Sequence, residues 1–329
     1  MKVIKMQETD QKSQDNLHDI VMIGAGPSAL AAAIYTTRED LDTVLVEKAI
    51  AGGMVATTDW VDNYPGFAKG ISGLDLAEQF RAQAERFGAK FEFGEVSGLE
   101  IDQGDKNIII RLADNGEDLR AKTVLIATGS SHKKLNIPGE DKYYGRGVHY
   151  CATCDGAFYR DKKLVVVGGG NSAVQEAIFL TRFASHIDLL VRSQLRASEV
   201  LQHELDKFVK SGKITIHLNT SPDEILAKDE DVVNAVKITT PGKTEILETD
   251  GVFVFIGLLP NTNFLQNSGV KLDDQNFIVT DNNFMTNLTG VFASGDVRSG
   301  ATMQIVSSAG EGATASLRIR QYLEEKARG

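Results

Sequence analysis

Two stretches of the chain repeat one another, and both belong to a type of turn that few backbones can make. Asp19 to Tyr35 reads DIVMIGAGPSALAAAIY, and Lys163 to Phe179 reads KLVVVGGGNSAVQEAIF. Each opens with a short, β-branched apolar run, passes through a glycine turn, and continues with small and apolar residues at helical spacing. Gly24 and Gly26 align with Gly168 and Gly170, and Ala29 with Ala173, so G-x-G-x-x-A occurs twice. In this fingerprint the first glycine permits the tight turn and the second lets backbone approach a pyrophosphate. The small third residue lets the helix pack on the strand. The phosphates then sit at a helix N-terminus, where free amides and the dipole favour anions. One copy is a weak signal. Two in register, each opening a βαβ unit, predict two Rossmann-like units and two dinucleotides. A chain of 329 residues is long enough for both.

The second strand of each unit separates the two ligands. In the first copy Thr43 to Glu47 ends in an acid, and a carboxylate there accepts hydrogen bonds from an unphosphorylated ribose. In the second copy Glu47 maps to Val191, and the chain continues Arg192-Ser193-Gln194-Leu195-Arg196. A missing acid with two arginines suits a 2′-phosphate, so NADPH is expected in the second unit. Strands are expected at Lys90–Phe93, Asn107–Arg111, Lys213–His217 and Val233–Thr240. Gly73 to Phe87 shows helical spacing, with Leu74, Leu76, Ala77, Phe80, Ala84 and Phe87 apolar. Thr123–Gly129 and Gly251–Gly257 read as matching buried strands ending in glycine, and both glycines are expected hinges.

Both cysteines of the chain fall in Cys151-Ala152-Thr153-Cys154, followed by Asp155. Random placement gives that spacing about one time in a hundred. Cys-x-x-Cys lets two sulfurs form a disulfide across one turn, and flanking amides lower a thiol's pKa. No further cysteine exists to complete a four-thiolate zinc site, and no histidine stands at metal-ligand spacing from the pair, so no metal is expected. His149, two residues before Cys151, is expected to pack or lie at the surface. A dithiol just ahead of the second fingerprint points to an enzyme moving electrons from a dinucleotide to a dithiol. The net charge of −10 argues against nucleic acid or an anionic membrane as partner. No apolar run reaches the length of a membrane helix. Met1 to Asn16 is polar, lacks the apolar stretch of a secretory signal and reads as a flexible tail. A reversible redox pair without an export signal favours the cytoplasm.

Taken together these motifs resemble the low-molecular-weight, bacterial-type thioredoxin reductases, FAD-dependent pyridine nucleotide–disulfide oxidoreductases. The resemblance rests on CATCDGAFYR (Cys151 to Arg160) followed by VVVGGGNSAVQEA, and on GAGPSALAAAIY, AGGMVATTDWVDNYPG (Ala51 to Gly66) and IATGS (Ile126 to Ser130). TGVFASGDV (Thr289 to Val297) and SSAGEGATAS (Ser307 to Ser316) complete it. It implies an α/β chain with two Rossmann-like dinucleotide-binding domains of three-layer ββα type, the second inserted into the first. The FAD-binding domain would comprise residues 1–129, with residues 1–17 a flexible tail, and 252–329; the NADPH-binding domain with the dithiol would be 130–251.

By the same resemblance Gly24, Gly26 and Glu47 hold the adenosine and pyrophosphate of FAD, with Pro27, Ser28, Gly53, Thr128, Gly129 and Gly295 in the same set. Asn63 lies near the flavin, Asp296 meets the ribityl chain, and Gln304 and the amide of Ile305 approach the ring. Gly168, Gly170, Asn171, Ser172, Ala173, Arg192, Ser193 and Arg196 hold NADPH, with NADH the alternative donor. Hydride passes from nicotinamide to flavin, the reduced flavin opens Cys151–Cys154, and the dithiol reduces thioredoxin or a thioredoxin-like protein by exchange. Asp155 serves as the acid or base at a cysteine, and Cys154 is expected nearer the flavin. Dithiol and nicotinamide site share one domain yet serve one flavin, so the domains are expected to rotate between half-reactions. Related enzymes are usually homodimers, so the resemblance implies a homodimer. Alternatives are a reductase fed by ferredoxin or another donor, and a flavin dithiol oxidase that passes electrons to oxygen.

Overall fold

The computed structural model describes residues 17–58, 60–113, 117–228 and 232–328. The tail expected over residues 1–17 lies, apart from Leu17, outside them. The first part of the chain forms β1 (Leu17–Ile23), α1 (Pro27–Thr37), β2 (Thr43–Glu47), α2 (Gly73–Arg86), β3 (Lys90–Phe93), β4 (Val96–Ile101), β5 (Ile108–Leu112), β6 (Leu119–Ile126) and β7 (Ser130–His132). Then come β8 (Val148–His149), α3 (Ala152–Asp155), β9 (Lys163–Val167), α4 (Asn171–Leu180), β10 (His186–Val191), α5 (Glu199–Lys210) and β11 (Ile214–Leu218). The last part holds β12 (Ser221–Lys228), β13 (Val232–Thr240), β14 (Lys243–Glu248), β15 (Gly251–Val254), β16 (Leu258–Pro260), β17 (Val291–Ala293) and α6 (Ile305–Arg328).

The chain divides into two units, Met1–Ser131 with Leu259–Gly329, and His132–Leu258. In the first, β1 pairs in parallel with β2 and β6, and β2 with β3. Strand β6 shares its other edge between two partners. Its start pairs antiparallel with β5 (Ala121 opposite Ile108), and its end pairs parallel with β17 (Val124 opposite Val291). Side chains alternate across this sheet, as the pleat requires. Ile20, Met22, Leu45 and Leu125 face a core shared with α1 and α6. Val21, Ile23, Val44, Val46, Val124 and Ile126 face the opposite way, toward residues of β4, β5 and the segment before β17. The layers are helix, parallel sheet and second β layer.

The second unit repeats the plan. Strands run β11-β10-β9-β15-β8, all parallel. Leu164, Val166, Leu189 and Phe253 face Val174, Ala177 and Leu180 of α4 and Leu205 of α5. Val165, Val167, Leu190 and Val252 face the antiparallel ribbon β12-β13-β14 through Ile225, Val236 and Ile238. The insertion therefore spans 132–258 rather than 130–251. Strand β15 is the reason: Gly251 to Val254 pairs with Leu164 to Val167, so it completes the inserted sheet before the chain returns. The chain enters and leaves the insertion through β7 and β16, which pair with one another. Gly129 and Gly257 flank this ribbon with φ of +66° and +116°.

Helix α2 buries only part of its apolar set. Ser72 caps it, its hydroxyl accepting from Asp75 N at 3.1 Å. The buried stripe is Gly73, Leu76, Ala77 and Ala84. Leu74 remains 44% exposed, because two positions along a helix separate it from Leu76 by more than half a turn. Among the described residues no helix is long and apolar enough to cross a membrane.

Helices α1 and α6 meet at a small-residue crossing. A Cβ on Gly312 would stand 2.0 Å from the Ser28 carbonyl oxygen. Neither backbone can yield without moving its helix, so Gly312→Ala is expected to destabilise the protein by about 1–3 kcal/mol. Urea unfolding checks this; an unchanged midpoint would contradict the crossing.

Candidate functional site

Both fingerprints are built by the same contacts. Gly24 N donates to Val46 O at 2.8 Å and Ala127 N to Ile23 O at 2.9 Å; Gly168 N donates to Leu190 O at 3.0 Å and Phe255 N to Val167 O at 2.8 Å. The turn glycines have φ of +98° (Gly24) and +147° (Gly168). A Cβ would stand 2.6 Å from the Ala127 oxygen at Gly24 and 2.4 Å from the Phe255 oxygen at Gly168. Only glycine fits either position. Gly26 and Gly170 are the opposite case: a Cβ there would meet nothing within 4 Å. Each is the N-cap of its helix, and neither helix has a side-chain cap. Open space in front of uncapped amides is what a pyrophosphate needs, so both turns fit a dinucleotide. Ala173, fully buried, closes against Gly168.

Around the first turn, Glu47 is fixed by the loops it serves. Its oxygens accept from Ala25 N at 2.9 Å and Ala49 N at 3.0 Å. Gly52 N donates to Ala25 O at 2.7 Å. At Gly53, whose φ is +57°, an added Cβ would stand 3.4 Å from the Gly26 Cα. Pro27 occupies the first helical turn, where a missing N–H loses nothing. Asn63 Nδ2 donates to Gln304 Oε1 at 3.2 Å, and Gln304 Nε2 to Met303 O at 2.9 Å. Ile305 opens α6 and packs on Val55, Val61, Ile71 and Leu76. Burial pushes the Asp296 carboxyl above its usual range; the hydrogen bond from Ser308 (2.7 Å) pulls it down and the charge of Glu311 pushes it up.

Three of the expected contacts are already engaged within the protein. Ser28, 4% exposed, shares a hydrogen bond of 2.6 Å with Ser294, so its hydroxyl ties α1 to the strand end. The Thr128 hydroxyl donates to Asn261 O, and Asn261 Nδ2 donates back to Thr128 O, both at 2.8 Å, beside Gly129. Gly295 N donates to Glu311 at 2.8 Å.

In the second unit Arg192, Ser193 and Arg196 stand exposed beyond β10, as does Ser172 in α4. Arg196 N donates to Gly169 O at 2.7 Å. The side chain of Asn171 accepts from Ser198 N at 2.8 Å. Backbone and side chain together hold the arginine loop against the fingerprint.

Cys151 and Cys154 form a disulfide, with Cα atoms 5.3 Å apart, across the single turn α3. Both are partly exposed, and Cys154 N donates to Cys151 Sγ at 3.2 Å. Upstream, buried Glu140 accepts from Leu135 N, Asn136 N and the Tyr150 hydroxyl at 2.6–2.7 Å, anchoring the residue before Cys151. Burial, then the Glu140 bond, push the Tyr150 hydroxyl far above its usual pKa. His149 is 6% exposed, yet both ring nitrogens face side chains: Nδ1 lies 3.2 Å from Asp155 Oδ2 and Nε2 2.7 Å from the Tyr159 hydroxyl. Sequence reading missed this chain and the role of Glu140. The signal for the first was the clustering of His149, Asp155 and Tyr159 around one tetrapeptide.

Comparison with known proteins agrees with this geometry. The pyridine nucleotide-disulphide oxidoreductase family matches residues 18–312. Thioredoxin reductase of Listeria monocytogenes is 39% identical over 315 residues, covering 95% of this chain and 96% of the relative. That of Bacillus subtilis is 38% identical over 315 residues, covering 95% and 97%. Among solved structures, thioredoxin reductase from Streptococcus pyogenes superposes with a TM-score of 0.87 at 37% identity, covering 94% of this chain and 99% of that one. The enzyme from Giardia duodenalis gives a TM-score of 0.87 at 32% identity, with coverage of 94% and 99%. With its paired fingerprints, inserted sheet and single dithiol, the chain belongs to the pyridine nucleotide-disulphide oxidoreductases, among the relatives of bacterial thioredoxin reductases.

Proposed function

We propose that this protein is a thioredoxin reductase that carries electrons from NADPH, through FAD, to the Cys151–Cys154 disulfide and on to the disulfide of thioredoxin or a thioredoxin-like protein. The observation that carries the reading is the disulfide itself, formed by the only two cysteines of the chain and placed in the same unit as the second fingerprint. FAD bound at the first turn supplies the two-electron couple between nicotinamide and dithiol. In the first unit Gly24, Gly26 and Glu47 would hold the pyrophosphate and ribose of FAD, Asp296 the ribityl chain, and Asn63, Gln304 and Ile305 would serve the ring. In the second, Gly168, Gly170 and the α4 amides would hold the other pyrophosphate, and Arg192, Ser193 and Arg196 would supply the charge and hydrogen bonds for a 2′-phosphate.

The residues divide the exchange chemistry between them. The Cys154 amide aimed at Cys151 Sγ favours the Cys151 thiolate, which makes Cys151 the sulfur that attacks the partner. Cys154 then displaces the partner and re-forms the disulfide. Asp155, whose amide donates to the Cys151 carbonyl at 3.2 Å, takes up and returns the proton of that second thiol. Since the dithiol and the nicotinamide turn share the inserted unit, the two half-reactions require that unit to turn about β7 and β16. A cytosolic setting and a homodimer belong to the same proposal.

Cys151→Ser and Cys154→Ser are expected to bleach their flavin with NADPH as the wild type does while losing thioredoxin reduction. Retained thioredoxin reduction in either would remove the dithiol from the path. Arg192→Ala and Arg196→Ala should each weaken NADPH by roughly 1.5–3 kcal/mol, about tenfold to a hundredfold in KM, and leave NADH unchanged. Equal losses with both nucleotides would overturn the 2′-phosphate assignment.

A further inference from the structure

The polar chain behind the dithiol is more elaborate than packing requires. His149 lies at the end of β8, Asp155 closes α3, and Tyr159 ends the short helical turn Gly156–Tyr159 that follows. Asp155 Oδ2 lies 3.2 Å from His149 Nδ1 as an ion-pair contact, and a carboxylate this near favours a proton on Nδ1. Nε2 is then left with its lone pair, and the Tyr159 hydroxyl 2.7 Å away donates to it. Burial, followed by the charges of Asp155 and Asp250, pushes the Tyr159 pKa well up, so the hydroxyl remains a donor. The rings are fixed as well. His149 stacks on Phe253 with centroids 5.1 Å apart, and Tyr159 meets the same ring edge-on at 5.5 Å. Gly251 makes the space: a Cβ there would stand 2.5 Å from the Tyr159 ring.

We propose that His149 is a positioning residue for the dithiol reaction, with Tyr159 setting its tautomer so that Nδ1–H fixes the Asp155 carboxylate and leaves its other oxygen to exchange a proton with a cysteine. This rests on the reading of Asp155 given above. In the exchange, the Cys151 thiolate attacks a partner disulfide, forming a mixed disulfide and releasing one partner thiolate. Asp155 accepts the proton of the Cys154 thiol. The Cys154 thiolate then attacks Cys151 Sγ, the Cys151–Cys154 bond re-forms, and the second partner thiolate leaves. Two electrons pass from the dithiol to the partner, and the proton on Asp155 returns to the departing thiolate or to solvent. A carboxylate free to swing would have to be ordered in each such step. Here the ordering is built into the fold.

The test uses the full flavoprotein, reduced anaerobically with dithionite, freed of excess reductant and mixed with a small aromatic disulfide whose thiolate absorbs. Release of the second thiolate reports the resolving step, and flavin bleaching by NADPH serves as a control that this step does not touch. Asp155→Asn should slow the second release by about a hundredfold, and His149→Ala and His149→Gln by about tenfold, with bleaching unchanged. His149→Asn, whose amide N–H can replace Nδ1–H, should remain within about threefold of wild type, and His149→Ala with Asp155→Asn should be no slower than Asp155→Asn alone. If His149→Ala does not fold, the contrast between Asn and Gln decides. Equal rates for those two, or multiplicative losses in the double variant, would overturn the positioning role while a slow Asp155→Asn keeps the Asp155 reading. A wild-type rate in Asp155→Asn would overturn that reading and this inference with it.

Discussion

One close approach, made twice, organises this protein. In each unit a glycine turn runs beneath the carbonyl of the next strand over, Gly24 under Ala127 and Gly168 under Phe255, with no space for a side chain. That contact sets where strand ends and helix begins, and so aims a row of unpaired helix amides at one open point in front of Gly26 or Gly170. The parallel sheets, their alternating cores and the covering β layers can be read as the scaffold needed to hold these turns. Position and charge then differentiate the copies. Glu47 ends one second strand, and Val191 followed by Arg192 ends the other.

The dithiol is organised differently. Its turn is only four residues long, too short to hold a reactive geometry by helix packing. The surrounding polar side chains do that instead. Glu140 anchors Tyr150 on one side, and Tyr159 and His149 reach Asp155 on the other. Such networks rigidify a site as their members are satisfied, and the Tyr150–Glu140 and His149–Tyr159 bonds here are short. The sulfurs themselves remain partly exposed, as a pair that must meet outside partners requires.

Much of the fold was legible because glycine spacing and strand alternation are local signals. The duplicated fingerprint announced two units, and Thr43–Glu47 appears as β2 with the limits its sequence suggested. The insertion's end was not legible. Nothing local in Gly251–Val254 says which sheet it joins, and only pairing with β9 assigns it to the inserted unit. At Ser28 the hydroxyl pairs with Ser294, far away in sequence, which no local motif announces. The partners of His149 were hidden for a related reason: packing on Phe253 brings the ring to Asp155, and no spacing rule encodes it.

The most direct test of the electron path is an anaerobic titration of the oxidised flavoprotein with NADPH in the presence of excess thioredoxin, following flavin absorbance and thioredoxin thiols together. The path described here predicts transient bleaching and about two new thiols on thioredoxin for each NADPH consumed, since every transfer is a two-electron exchange. Bleaching that persists without new thiols, or no bleaching by NADPH while dithionite still opens Cys151–Cys154, would contradict it.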